Sequence, residues 1–326
     1  MKVYRLRYLI QILCFLLLIY GGYVGLRFNN FFPSTQCLNN DSYHGSGCYL
    51  LPLQRSQYGI RMDPQEERGM LPFPGYTVMW GWAGAYLRLF LSFFVMVLIF
   101  NKAWCGWICP FGTLQDGITF TRKKFSVRGT QFSEKTKSNL SILKYVLLLG
   151  FLSIYVLLAC GVRELDPIYC RICPAKAFLP LFEGNPLNLA VDFTVGLGRF
   201  WTSIATAVIA GAVFVGIVFR ERFFCILCPV GVLIDKLNKV SFLQLKKKIN
   251  SCTSCGNCWR VCPMDIKEVY LEKKKDNVTE EGCILCLKCI EACPQNKALF
   301  IKFFKKIIFF SSRKYFFKWF KEKNKI

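Results

Sequence analysis

The stretch Cys252-Thr253-Ser254-Cys255-Gly256-Asn257-Cys258-Trp259-Arg260-Val261-Cys262-Pro263 reads C-x2-C-x2-C-x3-C-P. Twenty residues further on, Cys283-Ile284-Leu285-Cys286-Leu287-Lys288-Cys289-Ile290-Glu291-Ala292-Cys293-Pro294 repeats it. Three thiolates on one tight loop can wrap a single cube of iron and sulfur, and the fourth opens the helix that follows. Zinc sites use two separated C-x2-C pairs rather than a triplet followed by Cys-Pro. Disulfide scaffolds are short secreted chains, whereas this chain has 326 residues. Eighteen cysteines stand against one histidine, His44, and no C-x-x-C-H occurs, which excludes bis-histidine and covalently attached haem.

Where two such runs share a domain, the fourth Cys of each ligates the other cluster. The expectation is one 4Fe-4S cluster on Cys252, Cys255, Cys258 and Cys293, and a second on Cys283, Cys286, Cys289 and Cys262. Clusters so close exchange electrons quickly. The runs predict a small α+β ferredoxin-like domain over residues 241–300, entered through a short basic linker, Lys246-Lys247-Lys248.

Outward from this domain the chain is apolar, with 53% hydrophobic residues and 31 Phe. A soluble fold of that composition would expose large apolar patches, so the bilayer is the expected solvent. Four segments approach the ~20 residues that a span needs: about 8–26, 82–100, 140–160 and 200–218. The first follows Lys2, Arg5 and Arg7 without a small-residue cleavage site and reads as an uncleaved anchor. The apolar stretch Phe178–Leu197 reads as a re-entrant or surface helix.

The net charge of +23 does not indicate nucleic acid, because the cations collect beside apolar spans and no recognition module occurs. Arg122, Lys123, Lys124, Arg128, Lys135 and Lys137 lie between the second and third spans, and Arg220 and Arg222 follow the fourth. This bias puts the N-terminus, the basic loop and everything after the fourth span on the cytoplasmic side of an inner membrane. Spans without acidic residues argue against a transporter.

An internal repeat supports that layout. Cys109-Pro110-Phe111-Gly112-Thr113-Leu114-Gln115-Asp116 matches Cys228-Pro229-Val230-Gly231-Val232-Leu233-Ile234-Asp235 at an offset of 119 residues. Parallel hairpins put both copies on one face. The expected fold is an α-helical membrane protein of about four transmembrane helices, a duplicated hairpin, joined to the ferredoxin-like domain. Residues 1–240 form the transmembrane region with its Cys-Pro motifs, and residues 301–326 a basic, aromatic tail on the anionic inner leaflet. A docking face for an acidic partner is the competing reading of that tail.

Cys105-x3-Cys109-Pro110 and Cys225-x2-Cys228-Pro229 follow the second and fourth spans. Proline suits the first helical position, and the preceding Cys then meets the helix dipole, which favours thiolate. Three readings are open: a third iron–sulfur or metal centre, a redox-active dithiol pair, or cysteines that merely pack. Cys37, Cys48, Cys170 and Cys173 fall in the outer loops, where disulfides or an outer metal centre are the alternatives. Cys14 and Cys160 read as packed thiols. Arg88, inside the second span, suits a quinone headgroup or an anionic cluster, or snorkels to the interface. His44 reads as a solvated loop residue, with metal ligation or proton handling the alternative.

The combination of Trp104-Cys105-Gly106-Trp107-Ile108-Cys109-Pro110-Phe111-Gly112, the Cys225–Pro229 motif and both ferredoxin runs resembles the membrane-bound polyferredoxin family, of the NapH, NosR and CcoG types. The resemblance covers roughly residues 82–294. It implies a membrane iron–sulfur protein that relays electrons between a quinone or a cytoplasmic donor and a partner redox enzyme. Such a protein is a component of an oxidoreductase system, alongside reductase subunits, rather than a stand-alone enzyme. The alternative it implies is an accessory factor for maturing a periplasmic or membrane metalloenzyme, with thiolates suited to copper(I). Two departures stand out: the second Cys-Pro motif is one residue shorter than the family's, and no flavin-attachment domain is expected before the spans.

Overall fold

The computed structural model describes residues 3–20, 91, 93–127, 129–130, 132–159, 174, 178, 182, 197–238 and 240–323. Arg88, His44, Cys37, Cys48, Cys160, Cys170 and Cys173 lie outside the described residues. In chain order the elements are α1 (Val3–Tyr20), α2 (Ala103–Trp107), α3 (Pro110–Lys124), α4 (Glu134–Ala159), α5 (Leu197–Phe219), α6 (Phe223–Leu227) and α7 (Pro229–Leu237). There follow β1 (Leu243–Lys247), α8 (Asn257–Arg260), α9 (Glu268–Leu271), α10 (Lys288–Glu291), β2 (Leu299–Phe303), β3 (Lys306–Phe310) and α11 (Arg313–Lys323). The chain divides into two units, one of Met1–Cys14, Val95–Tyr145 and Ile217–Ile326, the other of Phe15–Phe94 and Val146–Gly216.

The first unit contains a three-stranded antiparallel sheet ordered β1-β2-β3. Leu245 pairs with Ile301 and Lys247 with Leu299, so alternate residues of each strand enter the core with Ile266, Val269, Val278 and Ile290. Two sequence expectations change here. Lys246-Lys247-Lys248 is not a linker: Lys246 and Lys247 end β1, and Lys247 is buried, its ammonium donating to the carbonyls of Val269 (3.1 Å), Tyr270 (3.1 Å) and Glu272 (2.6 Å). Those carbonyls lie at the C-terminal end of α9, where a cation is favoured. The expected boundary at residue 300 falls inside β2, and residues as far as Phe310 belong to the sheet. Only α11, with its Lys, Phe and Trp319, remains as a helical tail.

In the same unit, α3 and α7 begin alike. Pro110 and Pro229 take the first helical position, each after a Cys with extended ψ (117° and 119°). Arg122, Lys123 and Lys124 close α3 and complement its dipole.

Within the second unit, Phe15 meets the Phe182 ring edge-on at 5.4 Å, and Phe178 lies 5.9 Å from Phe214. Over the described residues no helix is long and apolar enough to cross a membrane.

Candidate metal centres

Each dicluster run is bent by two left-handed residues two positions apart: Ser254 (φ 51°) and Gly256 (φ 74°) in the first, Leu285 (φ 47°) and Leu287 (φ 61°) in the second. For Leu that conformation costs about 1–2 kcal/mol per residue. Burial of both leucines in the core offsets it. Such turns aim backbone N–H groups into a concavity suited to anionic sulfur. The N–H of Leu285 favours thiolate at Cys283, that of Trp259 at Cys258, and those of Met264, Asp265 and Ile266 at Cys262, although the Trp259 and Asp265 N–H groups donate to the carbonyls of Gly256 and Cys262.

Two cavities result. One is lined by Cys262, Cys283, Cys286 and Cys289, with Leu245, Ile266 and Val269 excluding water. The other is lined by Cys252, Cys255, Cys258 and Cys293. Cys262 thus joins the three sulfurs of the second run and Cys293 the three of the first, while Cys258 lies on both walls. Burial pushes the thiol of Cys262 up to about 11 and that of Cys258 to about 12, and raises those of Cys283 and Cys289 well above the ordinary value. Iron must displace those protons to bind.

Cys105 on α2, Cys109 before α3, Cys225 on α6 and Cys228 before α7 also gather, each within electrostatic reach of others in the set. Neither cysteine accepts a side-chain cap hydrogen bond, but the nearby N–H groups of Phe111 and Gly112 favour thiolate at Cys109, and that of Gly231 favours it at Cys228. Burial outweighs that effect. The Cys228 thiol is pushed up to about 12 and those of Cys105 and Cys109 are raised, so these three are neutral thiols when metal-free.

Charged groups surround this set. Arg222 donates from Nε to Asp116 Oδ1 (2.9 Å), from Nη2 to Asp116 Oδ2 (2.6 Å) and from Nη1 to the Cys105 carbonyl (2.7 Å). The buried Arg222 and Arg7 guanidinium groups beside Asp116 hold its carboxyl well below the usual range, against the effect of its own burial. Lys102 Nζ lies 2.8 Å from Asp235 Oδ2, and the other oxygen of Asp235 accepts from the Gly282 N–H (2.9 Å). Gln115 donates to Cys225 Sγ (3.5 Å) and accepts from the Phe224 N–H (3.1 Å).

The set sits against the dicluster domain. Trp107 Nε1 donates to the Leu285 carbonyl (2.9 Å), and a Cβ on Gly106 would collide with the Ile284 carbonyl. Both carbonyls lie between Cys283 and Cys286, so the helix carrying Cys105 rests on the loop of the second run. Trp107, Lys102, Asp116, Arg222 and Asp235 are the residues that sequence reasoning missed as parts of this site. The offset of 119 already aligned the two aspartates, which was the one available signal. Cys14, on α1, is half-buried.

Among the described residues, no group of three or more His, Cys, Asp or Glu side chains is gathered tightly enough for one metal ion. A mononuclear thiolate site needs such closeness, with bonds of about 2.3 Å for zinc. A cubane binds each cysteine sulfur to a different iron and accepts a wider ring around a cavity. The all-thiol donor sets, the N–H groups near sulfur and the apolar lining fit an iron–sulfur cluster.

Comparison with known proteins agrees with that chemistry. A 4Fe-4S binding domain matches residues 82–128 and again 202–250, and a 4Fe-4S dicluster domain matches residues 244–294. The first two matches carry the two Cys-Pro motifs and the third carries both ferredoxin runs. The protein is therefore an iron–sulfur protein of the ferredoxin type. YccM of Escherichia coli, provisionally assigned to electron transport, is 28% identical over 64% of this chain and 54% of its own length. An uncharacterized protein of Methanocaldococcus jannaschii is 27% identical over 70% of this chain and 84% of its own. The ferredoxin-type protein NapH of Haemophilus influenzae is 25% identical over 60% of each chain. The chain thus spans little more than half the length of YccM and of NapH. No solved structure matches it. The matched segments are 4Fe-4S domains, and the chain is similar to ferredoxin-type electron-transport proteins.

Proposed function

We propose that this is a membrane-bound relay, passing electrons between the quinone pool or a cytoplasmic donor and a partner redox enzyme. Cys105, Cys109, Cys225 and Cys228 form a third centre beside the two of the dicluster domain. The observation that carries this reading is the seating of α2 on the Cys283–Cys289 loop through Trp107 and Gly106. A 4Fe-4S cluster on each set supplies one-electron carriage at a potential set by burial, charge and N–H···S bonds. The chain itself excludes water from these sites, places N–H groups near the sulfurs and joins one set to the next.

The membrane setting is supported by helices that are apolar outside and polar inside. On α1, Arg7 and Gln11 are buried while Leu9 (62% exposed), Ile12, Leu13 and Leu16 face outward. On α5, Ser203 and Thr206 are buried while Trp201, Val208 (64% exposed) and Val215 are open. In water that pattern would be costly, whereas in lipid it is the expected one. The positive charge beside the spans supports a cytoplasmic side for the dicluster domain. A hydrocarbon core is ~30 Å thick. That core is too wide for one useful electron hop, so delivery across it needs a mobile quinone or a further centre, for which the outer cysteines are the candidates.

The test is anaerobic isolation of the full chain with iron and sulfide counting, then quinol and copper titrations. The reading expects about twelve iron atoms per chain, four for each of three cubanes, and clusters that exchange electrons with a quinone. Stoichiometric copper on the Cys-Pro set in place of iron would support the accessory reading instead. Colourless protein without acid-labile sulfide would end both.

A further inference from the structure

The two Cys-Pro halves correspond at Cys109 and Cys228, Pro110 and Pro229, Gly112 and Gly231, and Asp116 and Asp235. The structure adds a correspondence outside that alignment. Lys102 stands three residues before Cys105, Arg222 three before Cys225, and each caps the start of the short helix carrying that cysteine. Each cation reaches across to the aspartate of the other half: Lys102 to Asp235 at 2.8 Å, Arg222 to Asp116 at 2.6 Å. The glycines make room for them. A Cβ at Gly112 would strike the Arg222 guanidinium, and one at Gly231 would press on Lys102 Cε and Nζ at 3.3 Å.

Lys102 is 2% exposed and Arg222 0%. Burying two ion pairs is a poor route to stability, because desolvation offsets most of the attraction and an apolar pair would serve as well. What an apolar pair cannot supply is charge beside sulfur. Arg222 turns its Nε and Nη2 edge to Asp116 and its Nη1 to the Cys105 carbonyl and, at 3.9 Å, to Cys225 Sγ. The cation therefore stands between the carboxylate and the thiols. Lys102 acts electrostatically on Cys105 and Cys228, one from each half.

We propose that Lys102 and Arg222 are a pseudo-symmetric pair of positioning residues that raise the reduction potential of the Cys105, Cys109, Cys225 and Cys228 centre. Each is held in place by the aspartate of the opposite half. The proposal rests on those four cysteines forming a redox centre. Reduction adds a negative charge to a site already carrying thiolates. A buried cation nearer the sulfurs stabilises that charge more than a carboxylate behind it opposes it.

The experiment is a redox titration of the intact chain in detergent, with the dicluster signals as internal reference. Arg222→Gln and Lys102→Gln should each lower the midpoint of the Cys-Pro centre. Asp116→Asn and Asp235→Asn should each raise it. Arg222→Lys should stay near the parent. The expected size is about tenfold in the reduced-to-oxidised ratio at fixed ambient potential, about 59 mV for one electron. A purely structural pair would shift cation and carboxylate variants alike. Shifts of one sign, no shift with full iron, or loss of this centre from all four neutralised variants while the dicluster signals persist would overturn the proposal. A parent protein with only about eight iron atoms, the content of two cubanes, would instead sink the third centre itself.

Discussion

The dicluster domain and the Cys-Pro set hold four cysteines per site by opposite means. In the domain, three of every four sulfurs come from one run of seven residues, bent by paired left-handed residues and packed on a single apolar core. The fourth arrives from a run only about thirty residues away. In the Cys-Pro set, two pairs of sulfurs lie 119 residues apart, and what joins them is charge: Asp116 with Arg222, Asp235 with Lys102. Short loops fix ligand geometry by backbone conformation alone. Ligands from distant segments need a long-range specifier, and here it is a crossed pair of buried ions over two glycines.

The sharpest break in the comparison is Cys286→Ala. Cys286 lines one cavity and not the other. The variant should lose about four iron atoms per chain, with sulfide in proportion, and keep the rest. Iron and sulfide counting with EPR before and after dithionite checks it, and loss of every cluster would show that the sites are not independent.

The next effect is common to both regions and depends on pH. Burial holds the metal-free thiols of Cys258 and Cys228 near 12 and that of Cys262 near 11. A thiolate that leaves iron at any lower pH therefore takes up a proton, so cluster loss consumes protons and is favoured as pH falls. Below about pH 11 the dependence is about tenfold per proton per unit. Bleaching by a chelator should be faster at about pH 6 than at about pH 8, in the dicluster domain and the Cys-Pro set alike.

How much of this was legible differs between the regions for the same reason. The ferredoxin runs declare themselves because ligand spacing is local: three cysteines of each run fall within seven residues. The sheet was hidden. Lys246-Lys247-Lys248 looks like solvated charge, yet Lys247 is buried because three carbonyls at the end of α9 need a donor. Lys302 to Phe310 looks interfacial, yet Lys302 and Phe303 pair with β1, nearly sixty residues earlier, and Lys306–Phe310 pairs with β2. Around the Cys-Pro set the cysteines were visible but their controllers were not. Arg222 read as one more positive loop residue, because nothing local distinguishes a cation that sets topology from one that pairs across the repeat.

Glycine clearance compares the two halves directly. Ala at Gly112 would meet the Arg222 guanidinium and the Cys105 carbonyl, one fixed by Asp116 and the other by backbone. Overpacking of that kind costs about 1–3 kcal/mol. Ala at Gly231 meets only the flexible tip of Lys102, which can give by a few tenths of an ångström. Gly112→Ala should lower the thermal midpoint and the iron content of the Cys-Pro centre, and Gly231→Ala should do so less. Equal losses would mean that the two cations are held equally tightly.

The smallest expected effect lies one residue from one of the largest charges in the site. Asp235 is buried against Lys102, while its neighbour Lys236 points outward to Glu281 at 3.2 Å, with their side chains 58% and 50% exposed. The exposed pair gains little in water, costs side-chain freedom and is screened by salt. Glu281 also has Lys144 and Tyr145 beside it, so it is not stranded when Lys236 is removed. Lys236→Ala should leave the thermal midpoint and every cluster signal at parental values at physiological salt. Should it instead disturb the Cys-Pro centre as Lys102→Gln does, the distinction between crossed, buried charge and surface charge would fail at the helix where both occur.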